Sequence, residues 1–455
     1  MEENNVLASA PVRKLMVKFA VPSIVGMLVS ALYNIVDQLF IGQKVGTLGN
    51  TATNIAFPLT TICMAIALLF GIGGASCFNL AMGMGDKKRA GYYVGNSVTM
   101  LLGCGAVITA VTLIFLTPML KLFGATAESL PFAEEYVKIT AIGFPFLLLA
   151  TGGGHLIRAD GSPHMTMICN IAGAVINTVL DAIFVLVFDW GMAGAAAATV
   201  IGQFVSAVIV IVYMLKFKTV KLDKKHYIPN GSSIRRVAMI GMASFFNQIA
   251  IGVVQVVLNN SLKHYGSLSE YGADEPIMKV NMIVFSIVIG LAQGTQPIES
   301  YNYGARNFGR VKEAYWLAVK TGAVISIMAF ILFQVFPKQI LMLFGSGSET
   351  YYDFGVKFFR IFLFFTWLNC IQPITSTFFT SIGKSIKGVF LSLTRQIIFF
   401  VPILLVLPLF FKIDGILYTG PIADVLSAIV AVPMAMYEFK EMKKMSSQLK
   451  KNGKS

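Results

Sequence analysis

Long uncharged stretches separated by short basic loops dominate the hydrophobic pattern of this chain. Residues 45–85, 90–120, 139–157, 190–215, 237–262, 280–298 and 361–383 contain no Asp, Glu, Lys or Arg. Each is near or above the ~20 residues that a helix needs to cross a hydrocarbon core. The pattern predicts twelve spans, at approximately 17–42, 53–82, 91–118, 132–157, 164–188, 191–215, 236–262, 276–303, 314–336, 353–380, 386–411 and 414–437. The period-2 alternation of a membrane β-strand is absent. The expected fold class is an all-α polytopic membrane protein.

One long polar stretch, KFKTVKLDKKHYIPNGSSIRR at 216–236, divides the spans six and six. The expected organisation is therefore an N-terminal six-helix lobe (1–215), a linker (216–236) and a C-terminal six-helix lobe with a basic tail (237–455). The two halves repeat at a constant offset of 221: LFGATAE at 122–128 meets LFGSGSE at 343–349, Gly73 meets Gly294, Gly83 meets Gly304, and Asp86 meets Asn307. Gly161 corresponds to Gly383 one residue out of step. With six spans each, the repeats start on the same side. Two bundles related by an axis along the membrane normal are expected.

Composition agrees with a membrane protein. Apolar residues make up 56% and charged residues 13%, against roughly 25% charged in soluble domains. The formal net charge of +14 resembles that of a nucleic-acid binder, but its placement argues against nucleic acid. Lys and Arg concentrate in alternate loops, as in Lys87–Arg89, the 216–236 linker, Arg306–Lys312 and the tail from Lys440. By the positive-inside rule both termini are expected in the cytoplasm of a cell-membrane protein. Residues 1–18 are polar and basic, so no cleavable signal peptide is expected. Cys63, Cys77, Cys104, Cys169 and Cys370 lie in or beside apolar runs and read as packing residues. His155, His164, His226 and His264 have no metal-ligand spacing, and GKS at 383–385 lacks the upstream glycine of a phosphate loop. No cofactor and no ATP site are expected, which leaves an ion gradient as the energy source.

Two carboxylates break the apolar pattern. Asp37 is the only charge in 19–40, and Asp181 sits in the apolar run 169–188. A carboxylate at bilayer depth costs at least ~2.5 kcal/mol, and such groups usually face a protein interior or aqueous cavity and mark an ion pathway. Asn177 is four residues before Asp181, on the same helix face. Tyr33 and Asn34 lie one turn before Asp37, and Thr199 and Gln203 on the sixth span are candidates for the same pocket. The C-half counterparts of Asp37, Asn177 and Asp181 are about Leu258, Phe399 and Ile403, so the acids are not repeat scaffolding. The bland reading is that the acids only stabilise helix contacts, and that Asn177 is interhelical glue.

The runs YNIVDQLFIG (33–42), INTVLDAIFVLV (176–187), GMAGAAAATVIGQ (191–203), QPIESYNYGARN (296–307) and GILYTGPIADVLS (415–427) together resemble the multidrug and toxic compound extrusion (MATE) family. The resemblance covers essentially the whole chain. The acid in the first span and the NxxxD of the fifth place it with the DinF-like, MepA-like branch. It implies antiport, in which a cation enters as an amphipathic, often cationic, compound leaves. The implied ion-coupling site is Asp37, Asn177 and Asp181. Pro22 in the first span would permit the bending that is linked, in this family, with carboxylate protonation. Glu299 departs from the usual small or apolar residue of its motif. It would either attract a cationic substrate or, as the favoured reading, pair with Arg306 near the end of the eighth span. Asp424 would pair with Arg395 or Lys320.

The coupling ion is expected to be H⁺, since few further oxygens are evident to replace a sodium shell, with Na⁺ at Asp37, Asn177 and Asp181 the alternative. The implied partners are small amphipathic or cationic compounds and the lipid bilayer, and the default oligomeric state is a monomer. The competing readings are a lipid-linked oligosaccharide flippase, a dedicated metabolite exporter and an intramembrane hydrolase. The flippase would need a basic cavity. The hydrolase would need clustered His, Asp and Ser at one depth, and no such cluster is visible.

Overall fold

The computed structural model describes residues 6–265, 268–344 and 349–452, without the side chains at 47, 268–275, 350 and 450–452. Residues 345–348 of the LFGSGSE repeat marker lie outside the described residues. Among the described residues there are helices and no strands. Among the described residues ten helices are long and apolar enough to cross a membrane, and the number of spans is twelve if each of two further bent pairs is one span.

In chain order the spans are span 1 (Val12–Lys44), span 2 (Thr47–Gly83), span 3 (Lys87–Ile114), span 4 (Leu130–Ile142 with Phe144–Ala159), span 5 (Pro163–Val187) and span 6 (Gly191–Leu215). Span 7 (Gly231–Tyr265), span 8 (Leu268–Gly304), span 9 (Phe308–Val335), span 10 (Tyr351–Phe362 with Thr366–Ser381), span 11 (Ser385–Phe411) and span 12 (Ile413–Asn452) follow.

Spans 4 and 10, expected as plain helices, are broken by 54° and 40°. In span 4 the sequence Gly143-Phe144-Pro145 explains the break. Pro145 has no N–H for the preceding turn, and Gly143 ends the first segment. By contrast Pro22 is buried in span 1, which remains helical through it.

The chain packs as two compact units. One comprises 21–248, the other 1–20 with 249–455. The division falls inside spans 1 and 7, not at the linker. In the second unit the start of span 1 contributes Val12, Leu15 and Phe19 to an apolar cluster with Leu7, Ile298 and Ala314. Gly294 of span 8 makes this approach possible, because a Cβ there would overlap the backbone at Phe19 and Ala20. In the first unit Gly241 of span 7 meets the Leu69 carbonyl of span 2 with no room for a side chain. Small residues let membrane helices approach this closely.

The linker is an ordered strap within the first unit. Buried Asp160, just past span 4, accepts from the Tyr213 hydroxyl at 2.7 Å and from the backbone N–H of Lys218 at 2.8 Å and of Thr219 at 3.0 Å. Burial pushes its carboxyl up from the usual range, and these donors pull it back. Farther along, Asn96 of span 3 donates to the His226 carbonyl at 2.9 Å and accepts from the Asn230 N–H at 2.6 Å. The five cysteines are free thiols, four of them buried.

Candidate ion-coupling site

Span 5 carries the centre of the site. Its α-helix ends at Asp181, and Ala182–Val187 continue as a π-turn. Such turns widen a helix by one residue and recur at functional sites. The β-branched and aromatic run that follows Asp181 is apolar, so nothing local offers the acid a donor. Asp181 is fully buried and Asn177, one turn earlier, is 3% exposed. The Asn177 amide donates to Thr199 Oγ1 of span 6 at 3.3 Å. Gly202 of span 6 allows the two helices to approach, since a Cβ there would press on the Gly173 carbonyl and on Asn177.

Span 1 brings Asp37 to the same place. Gly26 lies against the Asn170 amide of span 5. Asp37 and Asp181 lie within electrostatic reach of each other, and Tyr33 within reach of both. Tyr136, from the first segment of span 4, joins them: it too is within reach of both acids and contacts Thr199. Sequence reasoning missed Tyr136. Its only signal was a tyrosine inside an expected span, and placing it required the Gly-Pro break that sets the direction of this segment.

Four buried acceptor oxygens in this group receive no protein hydrogen bond: Asp37 Oδ1, both carboxylate oxygens of Asp181, and Asn177 Oδ1. Buried polar atoms are nearly always satisfied, and an unpaired buried charge is far more costly than a neutral group. Among the described residues no Lys, Arg or His forms an ion pair with either acid. The donor set is all oxygen, which suits a proton or a hard cation such as Na⁺ and offers no soft ligand.

One candidate falls elsewhere. Asn34 is exposed, and its amide donates to the Ser30 carbonyl at 2.7 Å. Gln203 Oε1 packs at Gly143, in the break of span 4. In the second unit, Glu299 is buried and does not pair with Arg306, which is exposed in the next loop. Its Oε2 lies 2.6 Å from Ser381 Oγ instead, because span 10, not the loop, covers this face of span 8. Asp424 pairs with Arg395 at 2.7 Å, while Lys320 is exposed.

The family model MatE matches the chain twice, over residues 22–183 and 243–406. The two matches begin 221 residues apart, the offset of the repeat. The multidrug export protein MepA of Staphylococcus aureus (strain MSSA476) is 26% identical over 426 residues, which is 93% of each chain. A solved outward-facing multidrug resistance MATE transporter of the MOP superfamily superposes with a TM-score of 0.91 at 22% identity, over 96% of this chain and 98% of its own. A MOP superfamily transporter from Pyrococcus furiosus, whose reverse pocket polarity is said to suggest a different function, superposes with a TM-score of 0.90 at 23% identity, over 96% and 98%.

Proposed function

The chain belongs to the MATE family of membrane transporters, and from that premise we propose that it is a cation-coupled antiporter exporting amphipathic or cationic compounds. The observation that carries the coupling is the set of four donor-free buried oxygens on Asp37, Asn177 and Asp181. Like charges side by side in a low dielectric repel, so the acid pair holds a cation between them. A proton is the coupling ion favoured here, because two adjacent carboxylates share one without any further ligand. Na⁺ is the second reading, supported by Asn177 Oδ1 and the Thr199 and Tyr hydroxyls as further oxygens.

In the proposed cycle the cation and the exported compound bind to different conformations of the two repeats. Exchange then follows from linkage, and the two need not share a site. Multidrug export is the reading favoured by the MepA relatives. The working location is the cell membrane with both termini cytoplasmic, as the placement of Lys and Arg indicates. Tyr33 and Tyr136 stand beside the acids, and Thr199 holds the Asn177 amide. Pro22 stays a candidate for bending of span 1.

The test is dye efflux from vesicles carrying wild-type, Asp37→Asn or Asp181→Asn protein under an imposed pH gradient and then a Na⁺ gradient. Wild-type efflux driven by the pH gradient and reduced to background in both variants is the expected result. Efflux that only Na⁺ drives would replace the coupling ion. Undiminished efflux in both variants would end the carboxylate mechanism.

A further inference from the structure

Glu299 has no role in the site above, and it is 2% exposed. Among the described residues the other buried acids of its unit are neutralised: Asp424 by Arg395, and Glu438 by Lys384 and by Lys387 at 2.8 Å. Among the described residues no cation stands within ion-pair distance of Glu299. Its neighbours are already committed or face away. From span 9, Tyr315 is in electrostatic reach but bonds Thr375 Oγ1 at 2.9 Å. The second segment of span 10 carries no acidic or basic side chain, its one titratable group being the buried Cys370 thiol, and Lys357 of its first segment bonds Asp414. Arg13, Lys14 and Lys18 of span 1 are exposed, and Lys384 and Lys387 beside span 12 hold Glu438.

The hydrogen-bond count then decides the protonation state. Ser381 Oγ lies 2.6 Å from Glu299 Oε2 and 2.8 Å from the Phe378 carbonyl oxygen. A serine hydroxyl has one hydrogen, and a carbonyl oxygen only accepts. With Glu299 ionised, that one hydrogen serves one of two acceptors, and a full buried charge is left with at most a single neutral donor from Ser381. An uncompensated buried charge costs several kcal/mol. With Glu299 protonated, its O–H donates to Ser381 Oγ, whose own O–H donates to Phe378, and both contacts are made.

We propose that Glu299 and Ser381 form a second proton-binding site, in the unit that lacks the aspartate pair. Glu299 is the carboxylic acid in this conformation. It lies near the end of span 8 at Gly304 and gives its proton to water once Ser381, at the last turn of span 10, moves away. Its use in transport rests on the ion-coupled reading. Its protonation does not.

The test is infrared spectroscopy of the purified full-length protein in lipid nanodiscs, in an Asp37→Asn/Asp181→Asn background that removes the other proton site. A protonated-carboxyl C=O stretch that shifts in D₂O is expected at neutral pH and is lost on Glu299→Gln. Ser381→Ala retains the band but shifts it, because a hydrogen-bond partner is removed, and this second variant serves if Glu299→Gln does not fold. Spectra unchanged by Glu299→Gln would overturn the proposal, as would spectra unchanged by Ser381→Ala. Normal efflux in the aspartate variants would defeat the antiport mechanism and leave this result standing.

Discussion

Glu299 and Asp160 apart, the two compact units bury their acids in opposite ways. In 21–248, Asp37 and Asp181 meet each other, an amide and hydroxyls, with oxygens that no protein donor reaches. In the unit containing 249–455, Asp424 and Glu438 are as deeply buried, yet each is neutralised by a basic side chain. Depth alone therefore does not separate the two kinds of acid. The informative quantity is the charge balance around the acid. Both fifth spans of the repeats carry a π-turn, but the first follows Asp181 and the second contains Arg395. One turn presents an acid to its unit, the other a base that closes an ion pair.

That contrast is broken most severely by removing the base. Arg395→Met leaves Asp424 buried without its partner, which is expected to cost about 3–5 kcal/mol. The cost should appear as a lowered Tm in detergent. Adding Asp424→Leu should restore most of it, because a buried pair contributes little net stability when both members are replaced by apolar groups. A destabilised double variant would mean that the pair does more than cancel charge. In the first unit the same logic gives the opposite sign of outcome: Asp181→Asn removes a cost, so stability holds while coupling is lost.

A smaller effect is expected from the hydroxyl at the edge of the pair. Tyr136→Phe keeps the ring and removes one hydrogen-bonding group near Asp37, Asp181 and Thr199. The loss of one such bond, about 1–1.5 kcal/mol, corresponds to roughly tenfold slower gradient-driven efflux with an unchanged Tm. Wild-type efflux in this variant would confine the site to the residues of spans 1, 5 and 6.

The sequence carried the spans, the repeat and the two acids because each depends on local pattern. Hydropathy fixes a span within its own residues, and Asn177 and Asp181 share a face by helix geometry alone. What it concealed depends on helix direction and on partners far along the chain. The break at Gly143-Phe144-Pro145 aims Tyr136, and nothing in the surrounding PFAEEYVKIT marks that aim. Glu299 looked like a partner for Arg306 because the two are close in sequence. Its actual partner is 82 residues away. Leu258 and Phe399, the counterparts of Asp37 and Asn177, do lie in an apolar cluster, as their residue types required.

The smallest expected effect tests how far helical spacing alone can assign a site. Asn34 is three residues before Asp37, a spacing that puts both on one face. Its amide nevertheless has a nearer acceptor, the Ser30 carbonyl at 2.7 Å, and the residue is exposed. A side chain bonded back to its own helix contributes no donor to the acid and little stability of its own. Asn34→Ala is therefore expected to change Tm by less than about 0.5 kcal/mol equivalent and to leave efflux at the wild-type rate. If this variant slowed efflux as much as Tyr136→Phe, the amide would have to leave Ser30 and reach Asp37 during the cycle. Span 1 would then have to present a different face to the acids in that state, and the donor-free character of the pair would belong to one conformation only.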